Sequence, residues 1–150
     1  MNDVRTTSPQ ETLALGRRLA TLLEAGDVVL LSGKLGSGKT LLVSGVAEGL
    51  GVSGPVVSPS FVIVREYRDG FLPLIHADVY RLGSTAEFDD LELPDTADEG
   101  VLIIEWGTAV AASVPDDHLV IHIDVADEQA RRFRFDPNGR WVDRPLGELT

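Results

Sequence analysis

Eight consecutive residues, Gly33-Lys34-Leu35-Gly36-Ser37-Gly38-Lys39-Thr40, satisfy the pattern G-x-x-x-x-G-K-[ST] at every required position. The pattern constrains the fold because it works only between a strand and a helix, and both flanks comply. Val28-Val29-Leu30-Leu31 is a short apolar run ahead of it, and Val43, Ala47 and Leu50 recur at helical spacing after it. Glycines let the backbone curl so that successive N–H groups face phosphate oxygens. The following helix adds its unpaired N–H groups and the positive end of its dipole. Lys39 then reaches the β- and γ-phosphates, and the Thr40 hydroxyl ligates magnesium. Gly33, Leu35, Gly36, Ser37, Gly38, Lys39 and Thr40 are therefore the expected nucleotide contacts. A plain glycine-rich turn is the alternative, and the agreement of motif and flanks disfavours it.

A chain of 150 residues suits one domain with a real core, here residues 1–150. The absence of cysteine excludes disulfides and thiolate metal sites. Apolar runs are too short for a membrane span and no signal-like stretch opens the sequence, so a cytoplasmic, membrane-free protein is expected. The net charge of −11 disfavours a broad nucleic-acid footprint. Any role in a nucleic-acid pathway is then expected to run through a protein partner.

The remaining pattern is read in order. Ser8-Pro9-Gln10-Glu11 is a capping box for a helix whose apolar face is Leu15, Leu19, Leu22 and Leu23, with Ala25-Gly26-Asp27 ending it. Gly51 is placed to end the helix after the loop. Two prolines make 54–60 a loop. Residues 61–67 and 72–77, joined by the turn Arg68-Asp69-Gly70, read as a hairpin. A short helix capped by Ser84 is expected over 84–91, then an acidic connector over 92–100. Val101 to Ile104 reads as a strand buried on both faces, and 118–125 with 131–135 as an antiparallel pair. The expected fold is α/β, a P-loop NTPase-like three-layer sandwich. Helices flank a mixed, mostly parallel sheet that is antiparallel toward one edge.

Hydrolysis needs carboxylates beside the loop to hold magnesium and to position water. Glu105 follows the buried strand, where a Walker-B-like acid belongs, and Asp78 follows Leu74-Ile75-His76-Ala77 in the same way. Among 24 acids each has a serious alternative as a solvated strand cap. His76 and His122 have no metal-spaced partner histidine and read as structural or surface residues. Arg131, Arg132 and Arg134 form the basic cluster, in which alternation puts Arg132 and Arg134 on one face and Arg131 on the other; it reads as a solvated strand face, with a phosphate or partner contact as the minority view. The tail after Phe135 carries no motif.

Five ordered motifs resemble the bacterial TsaE (YjeE) family, small P-loop ATPases required for threonylcarbamoyl modification of the adenosine beside the tRNA anticodon. Glu11-Thr12-x-x-Leu15-Gly16 is similar to the family's opening helix, and Gly33 to Thr40 to its phosphate loop. Ser58-Pro59-Ser60-Phe61 resembles S-P-T-[FY], His76 to Leu82 resembles H-x-D-x-Y-R-L, and Glu105-Trp106 resembles its E-W pair. The resemblance implies ATP and Mg2+ as cofactors and Thr12 as a further nucleotide contact. It implies Asp78 as the acid of the catalytic centre and Glu105, with Thr40 and Asp78, as the magnesium site. Lys39, Asp78 and Glu105 are thus the expected catalytic residues. Trp106 would flank the site, and Ser58 to Phe61 would be a switch-like loop. Ser60 departs from the family's threonine but keeps a hydroxyl. The implied partners are the TsaD and TsaB proteins, which carry out the transfer to tRNA and which TsaE resets with ATP. Contact with tRNA is then only indirect. Two other readings stay open on the residues alone: a small-molecule kinase, which needs an arginine-bearing lid, and a nucleotide-gated binding module without turnover.

Overall fold

The computed structural model describes residues 2–34, 37–57, 59, 64–79 and 85–149. Among them seven strands form one sheet: β1 (Asn2–Thr6), β2 (Asp27–Ser32), β3 (Val64–Tyr67), β4 (Leu74–Asp78), β5 (Val101–Glu105), β6 (His118–Val125) and β7 (Arg131–Pro137). Four helices accompany it: α1 (Pro9–Ala20), α2 (Lys39–Gly49), α3 (Thr85–Asp90) and α4 (Leu93–Thr96). Strand order is β1-β7-β6-β2-β5-β4-β3. The centre is parallel, β6 and β5 flanking β2 and β4 beside β5.

Both edges are antiparallel, where the sequence suggested one. β3 closes one side against β4, and β7 with β1 closes the other. The connections dictate this. Short links such as 68–73 and 126–130 join only antiparallel neighbours, whereas parallel pairs need a crossover. Strand β1 escapes the pattern because Asn2-Asp3-Val4-Arg5-Thr6 is short and polar, with Val4 and Thr6 turned inward.

The capping residues act largely as read. The Ser8 hydroxyl accepts from the Glu11 N–H, while Glu11 reaches one residue further back, to the Thr7 N–H at 2.7 Å. Helix α1 stops at Ala20, earlier than expected, and Leu23 is buried from the turn that follows. Gly26 (φ +90) serves instead to start β2, its N–H donating to Gly100 O. Helix α2 ends as its sequence requires. Gly51 is left-handed (φ +82), its N–H donates to Glu48 O, and the Val52 N–H donates to Ala47 O.

Two cores result. On one face of the sheet α1 and α2 cover Val29, Leu31, Leu74, Val101, Ile103, Ile121 and Phe133. The helices approach so closely that a Cβ on Gly45 would lie 2.3 Å from Leu13 O, and one on Gly16 would lie 2.5 Å from Leu42 O. The other face is covered by Phe88 of α3, Leu93 of α4 and Val110 of the 3-10 segment Gly107–Ser113. The acidic connector therefore contains a short helix, held by buried Leu93 and Ala97. The tail is ordered too: Trp141 and Leu146 are buried, and Arg144 forks onto buried Asp27 at the start of β2. No helix is long and apolar enough to cross a membrane among the described residues.

Candidate functional site

Strand β2 delivers the chain to the loop at the C-terminal edge of the parallel strands. Gly38 is left-handed (φ +100) and caps α2 without a side-chain bond, so the first N–H groups of the helix stay open. Gly33 sits against the end of β6, where a Cβ would come within 2.7 Å of Ser37 Oγ and 2.9 Å of Ile123 O. Only hydrogen fits there. Lys39 is 5% exposed, and its Nζ donates to Gly33 O at 2.5 Å and to Lys34 O at 3.3 Å. The same ammonium lies 4.2 Å from the centre of the Trp106 ring. Burial pushes the Lys39 amine below its ordinary value, with Glu105 and then Asp78 opposing that shift. Both carboxylates are therefore close enough to act on its charge. The Ser37 hydroxyl is buried with no hydrogen-bond partner. Leu35 and Gly36, two expected contacts, lie outside the described residues, as do Ser58, Ser60, Phe61 and 80–84.

Asp78 and Glu105 are the last residues of β4 and β5 and are direct partners in the parallel register. Alternation puts Leu74, His76 and Asp78 on the face of β4 that meets α2, and Val101, Ile103 and Glu105 on the same face of β5. Both acids are buried. His76 is fully buried between them and the core, and its Nε2 lies 2.6 Å from Glu105 Oε2. A carboxylate accepts, so Nε2 carries the proton and donates. His76 is structural, as its sequence context suggested, but what it holds is a site carboxylate. Glu105 Oε1 keeps its capacity to accept. Immediately after Glu105, Trp106 turns the chain with a left-handed φ of 62, a conformation that costs a bulky residue about 1–2 kcal/mol. Strain of this kind is retained where the surroundings fix it, and here it lays the indole over Lys39.

The far side of the loop is built by α1 and β7. Thr12 is buried, shares a hydrogen bond of 2.8 Å with the Thr6 hydroxyl, and lines a cavity of about 80 Å³ with Pro9, Gly38, Leu41 and Arg131. Arg131 Nε donates to Ser37 O at 3.0 Å and its Nη1 to Asp127 O and Ala130 O. The basic cluster divides as alternation requires, with Arg131 apart from Arg132 and Arg134. Arg131 ties the β6–β7 turn to the loop, and Arg132 pairs with Asp3. Arg134 lines a cavity on the opposite face. The signal for Arg131 was present, because 131, 133 and 135 share a face and Phe133 and Phe135 are plainly inward.

The described candidates thus gather at one edge: Gly33, Ser37, Gly38, Lys39 and Thr40 in the loop and helix start, Thr12 on one side, Asp78 and Glu105 on the other. No group of three or more His, Asp or Glu able to hold a metal occurs among the described residues. Magnesium at a phosphate loop does not need one. It takes a hydroxyl, one or two carboxylates and phosphate oxygens, and the hard oxygen donors of Thr40, Glu105 and Asp78 fit that set.

Comparison with known proteins bears on the family and the fold. Residues 6–133 match the family model described as "Threonylcarbamoyl adenosine biosynthesis protein TsaE". The chain is 50% identical over 116 residues to the Streptomyces coelicolor tRNA threonylcarbamoyladenosine biosynthesis protein TsaE, covering 75% of this chain and 78% of that one. It is 40% identical over 147 residues to the Bacillus subtilis protein of the same name, covering 97% and 92%. The crystal structure of Bacillus subtilis YdiB superposes with a TM-score of 0.81 at 36% identity, over 99% of this chain and 93% of that one.

Proposed function

This chain belongs to the TsaE family, and on that premise we propose that it is a magnesium-dependent ATPase serving threonylcarbamoyl modification of the adenosine beside the tRNA anticodon. It acts on the TsaD–TsaB complex in the cytoplasm and meets tRNA only through that complex, as its net charge of −11 favours. The observation that carries this reading is the burial of Lys39, Asp78 and Glu105 together at the open end of α2.

The loop amides and Lys39 bind the β- and γ-phosphates. Lys39 is held in reserve on the carbonyls of Gly33 and Lys34, and phosphate oxygens replace those carbonyls. Thr40 and Glu105 hold the metal, with Asp78 beside them to orient water or the metal's own waters. His76 fixes Glu105 in that duty. Bound magnesium supplies charge neutralisation at the phosphates. Thr12, Leu41 and Arg131 border the opening beyond Gly38, where the nucleoside end lies.

Arg131 commits Nε and Nη1 to main-chain carbonyls of the loop and the β6–β7 turn, which disfavours it as an arginine finger. Hydrolysis by the isolated protein is therefore slow and rises when the partner supplies what is missing. The kinase alternative loses its lid, since Phe88, Leu93 and Ala97 pin the 85–100 segment onto the sheet and that segment contains no arginine. The test is ATP hydrolysis with magnesium, alone and with the TsaD–TsaB pair, for wild type and Glu105→Ala. Stimulation by the pair that the variant lacks supports the reading. A wild-type rate that the pair leaves unchanged refutes partner activation.

A further inference from the structure

On the sheet face away from α1 and α2, three neighbouring strands present a polar row at their ends. His122 of β6 is the register partner of Ser32 of β2 on one side and of Arg134 of β7 on the other. These side chains share a face by alternation with Leu30 and Val120, which belong to the second core. The covering helices of that face sit over the β4, β5 and β2 side, and a cavity of about 250 Å³ remains over the row. Lys34 and Asp124 stand at its rim and Val125 adds an apolar wall.

The Arg134 side chain makes no hydrogen bond or ion pair among the described residues, and its Nε is buried without a partner there. That is unusual in a chain with 24 acids against 13 basic residues, where a guanidinium finds a carboxylate easily. Its planar fork suits a bidentate oxyanion. The cavity is also roomier than a bare phosphate or carboxylate group needs.

We propose that this cavity, which adjoins the nucleotide loop through Gly33 and Lys34, is a second ligand site for a small organic anion whose carboxylate or phosphate is bound by Arg134, His122 and Ser32. Lys34 adds positive charge at the mouth, and Val125 packs against the carbon portion. Asp124 at the rim opposes the ligand's charge and sets a limit on affinity.

The test follows the His122 ring signals by NMR during titration with inorganic phosphate, malonate and glycerol 3-phosphate. Those signals are assigned with a His122→Gln variant. Malonate or glycerol 3-phosphate is expected to shift the His122 signals saturably and at lower concentration than inorganic phosphate. Whichever organic anion does so identifies the head group, carboxylate or phosphate. Arg134→Gln should weaken that binding at least tenfold, on the order expected for losing a charge-assisted hydrogen bond. Asp124→Asn should tighten it by about threefold, as removal of an exposed like charge does. A gain of affinity cannot come from misfolding, so this variant decides the matter if Arg134→Gln fails to fold. Equal affinity in wild type and a folded Arg134→Gln, no saturable shift with either organic anion, or an unchanged affinity in Asp124→Asn overturns the site.

Discussion

Replacing His76 by alanine tests the proposed metal site. The imidazole donates from Nε2 to Glu105 Oε2 at 2.6 Å in a fully buried setting. Glu105 is left with an unanchored carboxylate when the ring is removed. If Glu105 holds magnesium as proposed, a partner one bond behind it changes metal affinity by roughly 10–100-fold. At about 1.4 kcal/mol per decade that is about 1.4–2.7 kcal/mol, which agrees with the roughly 1.5–3 kcal/mol of a hydrogen bond to a charged group. The expected result is a magnesium half-saturation raised tenfold or more in ATP hydrolysis, with nucleotide affinity in the absence of magnesium little changed. His76→Gln should recover part of the loss, since its amide can donate along the same line. Denaturant unfolding of each variant separates this from lost packing. A folded His76→Ala protein with wild-type magnesium dependence would refute the reasoning. A shift to tighter magnesium binding would mean that His76 competes with the metal rather than presenting its ligand.

Three further outcomes follow from packing and charge. Arg144→Leu strands the buried carboxylate of Asp27 and removes the guanidinium stacked 4.1 Å over Trp141, so unfolding free energy should drop by about 3 kcal/mol. The second substitution Asp27→Asn should return part of it in a denaturant cycle. Gly45→Ala gains helix propensity yet puts a methyl 2.3 Å from Leu13 O, so chemical denaturation should show a net loss of about 1–3 kcal/mol from overpacking. Glu11, Asp117 and Asp127 are held below the ordinary carboxylate range chiefly by backbone N–H groups, and Asp69 chiefly by the Ser53 hydroxyl. Their contribution is complete above the unfolded value near pH 4 and is lost as pH falls through the lower folded values. Denaturation midpoints should therefore be flat in this respect near neutrality and decline progressively below about pH 4.

What the sequence disclosed depended on whether a signal was local. The loop, its strand and its helix are adjacent in the chain, and each residue type there is set by a steric or hydrogen-bonding need that can be named. Glu105 and Asp78 were legible as strand ends because β4 and β5 are short apolar runs that stop abruptly at an acid. Their pairing was not, since register partners 27 positions apart leave no local trace. Strand β1 was missed because an edge strand needs few apolar residues. Helix α1 ended early because burial of Leu23 does not require the helix to continue to it. Alternation separates Arg131 from Arg132 and Arg134, but its bond to the Ser37 carbonyl, 94 positions away, leaves no local trace.

That alternation also explains why the chemistry collects where it does. The positions of β4 and β5 that bury Leu74, Val101 and Ile103 against α2 are, one step further along the same face, His76, Asp78 and Glu105. Polar groups thus take over from apolar ones at the level where the loop crosses the strand ends. The buried polar positions are tolerated in part because they pair with one another, His76 Nε2 with Glu105 and both acids with the charge of Lys39, although His76 Nδ1 is buried with no partner among the described residues. A single-residue slip of β4 would turn Asp78 to the face packed by α3 and bury it unpaired, so the core that fixes the register also fixes the site. Stability and function are therefore specified by the same alternating rows, which is why the fold holds His76, Asp78 and Glu105 under cover without a disulfide to restrain them.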